Sequence, residues 1–222
     1  MNEITAHSQF FFESHPDNLS RKFPPYGFAD TVIGHRNAKG EMVIQSIHGQ
    51  HLIFQNEEIV TEHAVIRKEF LQGSEIAVGF TEHGKPIIQQ QGVRGCTAAT
   101  AAMLIYEHGG EVNIDGMGGL QWCNLGTMDS IVRTIDRAGF LAIRTLCANS
   151  LASLEEVLQK GSAIVSIEDP TAGGHSIIVD EISLEGVRIR DPYHAWEITV
   201  TPKAFLQRWV SAEIVQLAKS AT

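Results

Sequence analysis

The chain has 222 residues, of which 43% are hydrophobic, and its formal net charge is −9 at pH 7. This length and apolar content suit one domain with a good core, or a domain with a smaller appendage, and they exclude a disordered chain. The acidic balance and the lack of a lysine- or arginine-rich run argue against nucleic acid as a partner, and no apolar stretch is long enough to predict membrane insertion.

Residues 1–85 are predicted to form a β-rich N-terminal extension. Short apolar or alternating runs, separated by turn-forming residues, predict strands at 31–34, 42–47, 51–54 and 75–80. Residues 57–71 mix apolar and charged side chains, which is compatible with a helix or with another strand. The extension is compatible with an inhibitory pro-segment, a substrate-docking surface or an edge extension of a sheet.

Residues 86–222 are predicted to form the main domain. Apolar residues at helical spacing predict helices, the first three of which end at glycines, and β-branched runs predict strands. The helices are expected at 97–108, 129–138, 150–160 and 202–209, and the strands at 163–167, 175–180, 186–190 and 213–217. Because most helices precede the strands, the order predicts an α+β fold with a largely antiparallel sheet.

Cys96 is the strongest candidate for a reactive residue. It stands between a polar, glycine-bearing loop and an alanine-rich stretch that is predicted to be helical. A thiol at a helix start meets unpaired backbone N–H groups and the positive end of the helix dipole, and both favour the nucleophilic thiolate. Since a lone cysteine in this position is more often a small buried hydrophobe, its possible partners decide the interpretation.

Those partners are expected from two later strands. His175 follows Gly173-Gly174 at the start of one predicted strand, and Asp191 follows the next strand. Adjacent antiparallel strands bring the start of the first beside the end of the second, so His175 and Asp191 are expected to be neighbours. Cysteine-based acyl transfer needs a nucleophile, a base, an orienting group and N–H donors for the oxyanion. The backbone N–H of Cys96 and the side-chain amide of Gln90 are candidate donors.

This arrangement resembles the papain-like cysteine peptidases of the double-glycine leader peptidase type, which process bacteriocin and peptide-pheromone precursors. The resemblance rests on Gln90, Cys96, a Gly-His at His175 and an Asp-Pro at Asp191, and it covers about residues 86–218. It implies a papain-like fold with Cys96 as nucleophile, His175 as general base and then acid, Asp191 as orienting residue and Gln90 as oxyanion donor.

The prediction is therefore a bacterial, stand-alone cysteine peptidase, without a transporter, that acts on peptide or protein amide bonds. A glutamine deamidase or a transglutaminase on the same residues, possible for a bacterial effector, is the alternative, and a non-catalytic binding module on a protease scaffold is a third. Gln91 is kept as the alternative oxyanion donor.

No cofactor, metal ion or disulfide is expected. The three cysteines are odd in number and lack zinc-site spacing, which fits a reduced compartment, and Cys123 and Cys147 are expected to pack in the interior. His83 is expected to be a surface or locally hydrogen-bonded histidine. The N-terminus lacks the pattern of a secretory signal, which predicts a cytoplasmic protein or an effector exported without a cleavable signal. The oligomeric state cannot be predicted.

Overall fold

The computed structural model describes residues 3–5, 32–36, 42–46, 53–54, 56–70, 77–88, 90, 95–112, 127–169, 173–193 and 195–218. Within these residues the chain has a mixed α+β fold, which confirms the predicted class. The strands are β1 (Glu3–Thr5), β2 (Val32–Arg36), β3 (Met42–Ser46), β4 (Ile59–His63), β5 (Val65–Phe70), β6 (Ala77–Thr81), β7 (Pro86–Ile88), β8 (Ala142–Leu146), β9 (Ala163–Asp169), β10 (Gly173–Ile182), β11 (Val187–Asp191), β12 (Trp196–Val200) and β13 (Glu213–Leu217). The helices are α1 (Cys96–Glu107), α2 (Met128–Arg137), α3 (Leu151–Leu158) and α4 (Pro202–Arg208), and a 3₁₀ turn spans Asn56–Glu58.

The strands of the described ranges form three antiparallel sheets. The largest has seven strands in the order β4-β12-β11-β10-β9-β13-β8, and the two smaller sheets have the orders β1-β2-β3 and β5-β6-β7. Strands β10 and β11 are antiparallel neighbours in the large sheet, with Ile178 opposite Arg190. The strand pair that the sequence predicts to carry His175 and Asp191 is therefore present.

Two hydrophobic cores flank the large sheet. Strand β10 has the period of two that a sheet buried on both faces requires: Ile177 and Val179 belong to one core, and Ile178 belongs to the other. Helices α3 and α4 add Leu154 and Phe205 to the first core. Helices α1 and α2 pack in the second. None of the helices in the described ranges is long and apolar enough to cross a membrane.

The helices lie close to the predicted positions, and their ends have the expected local chemistry. Ser150 accepts a hydrogen bond from the Ser153 N–H at the start of α3, at 3.3 Å, which is an N-cap. Helix α1 ends before Gly109 and α2 ends before Gly139, and both glycines adopt the left-handed region, with φ of 77° and 83°. The glycine stop signals in the sequence are confirmed at both helices.

Several strands differ from the sequence-based expectation. Strands β1, β7, β8 and β12 are not predicted, and the ambiguous segment 57–71 contains strands β4 and β5. Strand β12 is buried at all five positions although it carries Glu197 and Thr199, so it lacks the continuous apolar run typical of a buried strand. Ile53 and Phe54 are buried core residues outside any strand, which corrects the strand predicted there; residues 51–52 lie outside the described residues.

Strands from the predicted N-terminal extension share sheets with strands of the predicted main domain. Strand β4 is an edge of the large sheet and pairs with β12, with His63 opposite Glu197. Strand β7, directly after the predicted boundary at residue 85, pairs with β6. An edge extension of the sheet is one of the roles considered for residues 1–85, and the pairing of β4 is of that kind. The division into two domains at this residue stays a prediction.

Candidate active site

Cys96 lies at the N-terminal end of α1 and is buried, with 6% of its surface exposed. The preceding Gly95 provides no side-chain cap, so the N–H groups of the first turn have no side-chain acceptor there. The Cys96 sulfur instead accepts hydrogen bonds from the backbone N–H groups of Thr97 and Ser176, and it shares a hydrogen bond with His175. These contacts favour negative charge on the sulfur.

His175 and Asp191 form a buried pair on the neighbouring strands β10 and β11. The His175 Nε2 atom lies 2.8 Å from Asp191 Oδ1, and the side chains are 6% and 0% exposed. Continuing the register of Ile178 opposite Arg190 by one step places Asp191 level with Ile177, on the same face of the sheet as His175. Since Nε2 faces the carboxylate, Nδ1 is the nitrogen that remains for the Cys96 thiol.

The Asp191 carboxylate is itself held in place. Its Oδ1 atom also accepts a hydrogen bond from the Tyr193 N–H, at 2.8 Å, in the turn that follows β11. The Tyr193 ring stands edge-on to the imidazole of His175, with the ring centroids 6.2 Å apart. Both contacts restrict the orientation of the His175–Asp191 pair.

The pKa values of the thiol and the imidazole shift in opposite directions. Burial alone would raise the pKa of the Cys96 thiol, but the hydrogen bond and the charge of His175, together with the two backbone donors, outweigh burial and lower it. Burial alone would lower the pKa of His175, but the charge and hydrogen bond of Asp191, together with Cys96, raise it to about 10. The arrangement therefore favours a thiolate beside an imidazolium.

A side-chain contact fastens the start of α1 to β10. Thr100 Oγ1 donates to the Cys96 carbonyl oxygen, at 2.9 Å, and lies 3.1 Å from Ser176 Oγ. All three residues are buried. The contact fixes the first turn of the helix against the residue that follows His175, so it helps to hold the thiol and the imidazole at a constant separation.

Gln90 lies close to the segment that follows Asp191. Its side chain is buried, with the residue 1% exposed, and its backbone N–H donates to the Pro192 carbonyl oxygen at 2.9 Å. This bond ties the loop before Cys96 to the end of β11. The oxyanion role of Gln90 stays a prediction, and the alternative donor, Gln91, lies outside the described residues.

A buried ionic cluster adjoins the site and is absent from the sequence-based expectations. The Arg190 guanidinium, fully buried, donates from Nε and Nη2 to the two oxygens of Asp180, both at 2.8 Å, and from Nη2 to Glu107 Oε2 at 2.7 Å. Its Nη1 donates to the Pro86 carbonyl oxygen at 2.8 Å.

Lys85 also pairs with Glu107, so the cluster contains two cations and two carboxylates. The cluster joins α1, β7, β10 and β11 directly beside Asp191.

Replacing Arg190 with methionine is expected to destabilise the protein strongly. The change leaves the buried Asp180 carboxylate without its main partner, and removing one member of a buried ion pair costs about 3–5 kcal/mol. Urea denaturation followed by circular dichroism measures the free energy of unfolding. Arg188→Met is the matched control: Arg188 pairs with Glu181, whose side chain is 53% exposed, and such a pair contributes about 1 kcal/mol or less. Equal losses in the two variants would contradict this account.

Cys147, the second cysteine in the described residues, differs from Cys96. Cys147 is also a free, buried cysteine, with 5% of its surface exposed, as the sequence predicts. Burial and the nearby charge of Glu156 raise the pKa of its thiol. Cys147 thus matches Cys96 in burial and differs from it in ionisation, whereas Cys123 lies outside the described residues.

The side chains that could bind a metal ion are not those of the Cys96 site. Among the described residues, the group of histidine, cysteine, aspartate and glutamate side chains with spacing suited to a metal ion is His63, Glu82 and His83. The sequence offers no signal for this group, because His63 and the adjacent pair Glu82-His83 come from separate segments of the chain.

No protein-family model matches the sequence, and no curated protein matches it. Among solved structures, a double-glycine motif protease from an AMS/PCAT transporter in complex with the leader peptide aligns with 60% of this chain and 90% of its own, with a TM-score of 0.46 and 14% sequence identity. A similarity of this size assigns no activity.

Proposed function

We propose that this protein is a cysteine hydrolase that cleaves amide bonds in peptides or proteins, with Cys96 as nucleophile, His175 as base and then acid, and Asp191 as orienting residue. The observation that supports the proposal most directly is the continuous hydrogen-bonded series from the Cys96 sulfur through His175 to Asp191, with His175 Nε2 at 2.8 Å from Asp191 Oδ1. A nucleophile, a base and an orienting group in hydrogen-bond reach are what acyl transfer requires.

The proposed reaction has two stages. The Cys96 thiolate attacks the substrate carbonyl carbon, and the resulting tetrahedral oxyanion collapses as the His175 imidazolium gives its proton to the leaving amine. The neutral His175 then takes a proton from water, whose oxygen attacks the thioester carbonyl carbon. Collapse of this second tetrahedral intermediate breaks the carbon–sulfur bond, which releases the acid product and restores the Cys96 thiolate beside the His175 imidazolium. The Asp191 carboxylate stabilises the imidazolium in both stages.

Stabilisation of the oxyanion is assigned to two donors. The backbone N–H of Cys96 lies in the first turn of α1, where helix N–H groups lack carbonyl partners within the helix. We propose the side-chain amide of Gln90 as the second donor, because Gln90 is buried and its backbone is bonded to Pro192, beside Asp191.

A defined peptide panel tests the proposal and separates it from its alternatives. The panel includes peptides with a double-glycine site, as the sequence resemblance suggests, and glutamine-containing peptides with and without a primary amine. The products are followed by mass spectrometry. Peptide fragments are expected with the wild-type protein and none with Cys96→Ala. Conversion of a glutamine amide to an acid indicates a deamidase, and addition of the amine indicates a transglutaminase.

Cys147→Ser provides the matched control, because Cys147 is equally buried but its thiol pKa is raised. This variant is expected to retain full activity. Cleavage that persists in Cys96→Ala, or that is lost equally in Cys147→Ser, would contradict the role proposed for Cys96. Absence of every product from the wild-type protein would favour a binding module.

A further inference from the structure

A second cluster of polar side chains lies at the edge of the large sheet, apart from Cys96. His63 ends β4, while Glu82 and His83 lie in the turn between β6 and β7. One nitrogen from each histidine and one carboxylate oxygen of Glu82 lie within 4.8 Å of one another. His63 Nδ1 is 3.0 Å from Glu82 Oε1, and the two imidazole rings are edge-to-face with their centroids 4.7 Å apart.

The neighbouring strand β12 orients both histidines. Glu197 Oε2 lies 2.8 Å from His83 Nδ1, and Thr199 Oγ1 lies 2.8 Å from His63 Nε2. Alternate residues of a strand face the same side, so Glu197 and Thr199 together present this pair of contacts. His63 is left to offer Nδ1 and His83 to offer Nε2. Histidine ligands of metal ions are oriented in the same way, by a carboxylate or another polar group on the second nitrogen.

The two carboxylates of the cluster favour the binding of a cation. Glu82 and Glu197 are both carboxylates: Glu82 contacts His63 and also accepts a hydrogen bond from the backbone N–H of Ala64, and Glu197 contacts His83. The Glu197 side chain is fully buried, and its Oε1 atom has no hydrogen-bond partner within the described part of the chain. A buried carboxylate is costly unless a positive charge or hydrogen bonds compensate it. A divalent metal ion held by His63 and His83 would supply a positive charge beside Glu197.

We propose that His63, Glu82 and His83 bind a divalent transition-metal ion, for which Zn²⁺ is the best match. Two imidazoles and one carboxylate form a ligand set typical of zinc, whereas Ca²⁺ and Mg²⁺ prefer oxygen ligands throughout. Tetrahedral zinc ligands lie roughly 3.4 Å from one another. The 3.0 Å separation of His63 Nδ1 and Glu82 Oε1 is close to this value. The three ligand atoms all lie within 4.8 Å of one another, so a small side-chain adjustment brings them to zinc-ligand spacing.

The bound ion would join the turn after β6 to strands β4 and β12. Strand β7, which follows this turn, leads to Gln90 and so to the segment before Cys96. The ion would therefore stabilise the contact between the small sheet β5-β6-β7 and the large sheet, without taking part in the reaction at Cys96. Partial exposure of Glu82 and His83 gives the ion a path from solvent.

Titration with Co²⁺ tests the site in a Cys96→Ser background, which keeps the reactive thiol out of the measurement and makes the result independent of the proposed hydrolase function. Visible absorption bands of four- or five-coordinate Co²⁺ are expected, without the near-ultraviolet bands of thiolate ligation. Zn²⁺ should displace Co²⁺, and excess Ca²⁺ or Mg²⁺ should not. His83→Ala and Glu82→Ala should abolish the bands, whereas His108→Ala, at the end of α1, should leave them unchanged.

Glu197→Gln provides a finer test, because it keeps the size of the side chain and removes its charge. Loss of the carboxylate behind a histidine ligand is expected to weaken Co²⁺ binding by about 10- to 100-fold. Thermal unfolding without metal verifies that each variant is folded before its affinity is compared. No absorption bands in the folded Cys96→Ser protein, or bands of equal strength after His83→Ala, would overturn the proposed site.

Discussion

Replacing His175 with alanine is expected to slow alkylation of Cys96 by iodoacetamide by about 10- to 100-fold at about pH 6. In the wild-type protein, burial opposes ionisation but the hydrogen bond and charge of His175 outweigh it and lower the pKa of the Cys96 thiol. Without the imidazole, even an ordinary thiol with a pKa of about 8.5 is only roughly 0.3% thiolate at about pH 6. Intact-mass spectrometry followed by peptide mapping gives the rate at each cysteine.

Two controls separate activation of the thiol from simple exposure. Cys147 is as buried as Cys96, at 5% against 6% exposure, but its pKa is raised, so it should react much more slowly in the same sample. His108→Ala removes a histidine whose Nδ1 is bonded to the Leu104 carbonyl at the end of α1, and it should leave the Cys96 rate unchanged. Equal rates at the two cysteines, or an unchanged Cys96 rate in His175→Ala, would refute activation by His175.

Asp191→Asn is expected to lower the rate of amide hydrolysis by between about 100-fold and 10⁴-fold near neutral pH. Asparagine can still accept the hydrogen bond from the Tyr193 N–H, so the turn after β11 is preserved. The negative charge is lost, however. Burial then lowers the pKa of His175 without the opposing charge of Asp191, and the imidazolium that donates the proton is depleted.

The pH profile distinguishes this electrostatic effect from a loss of structure. In the wild-type protein the pKa of His175 is about 10, above its ordinary value, so the imidazolium persists at neutral pH, and the alkaline limb of the activity profile, where activity falls as the pH rises, should lie near pH 10. In Asp191→Asn the alkaline limb should move to lower pH. A uniform loss of activity with an unmoved limb would indicate instead that Asp191 acts only by holding geometry.

The elements that carry the proposed site could be predicted from the sequence because their signals are local. The alanine-rich helix after Cys96 and the glycine at its end follow from helix propensity and capping alone. The contact of His175 with Asp191 follows from two β-branched runs joined by a short turn, since such strands pair as antiparallel neighbours. The thiol, imidazole and carboxylate could therefore be named before any coordinates.

The buried polar groups could not be predicted, because tertiary contacts override the local polarity that a sequence displays. Arg190 and Glu197 are charged residues that a sequence places at the surface, yet both are fully buried. Arg190 depends on Asp180 from β10 and Glu107 from α1, and Glu197 depends on His83 from a distant turn. No local sequence pattern identifies a buried charged residue whose partners lie this far along the chain.

We propose that Cys96 and His175 form a thiolate–imidazolium pair in the folded protein. The most direct test is a pH titration of the ultraviolet absorbance of the thiolate in wild type minus Cys96→Ser, since the other cysteines cancel in this difference. An excess absorbance is expected already at about pH 6, because the pKa of Cys96 is lowered, and this excess should be lost at that pH in His175→Ala. An excess that is absent at about pH 6 and grows only near pH 8.5, as for an ordinary thiol, would contradict it.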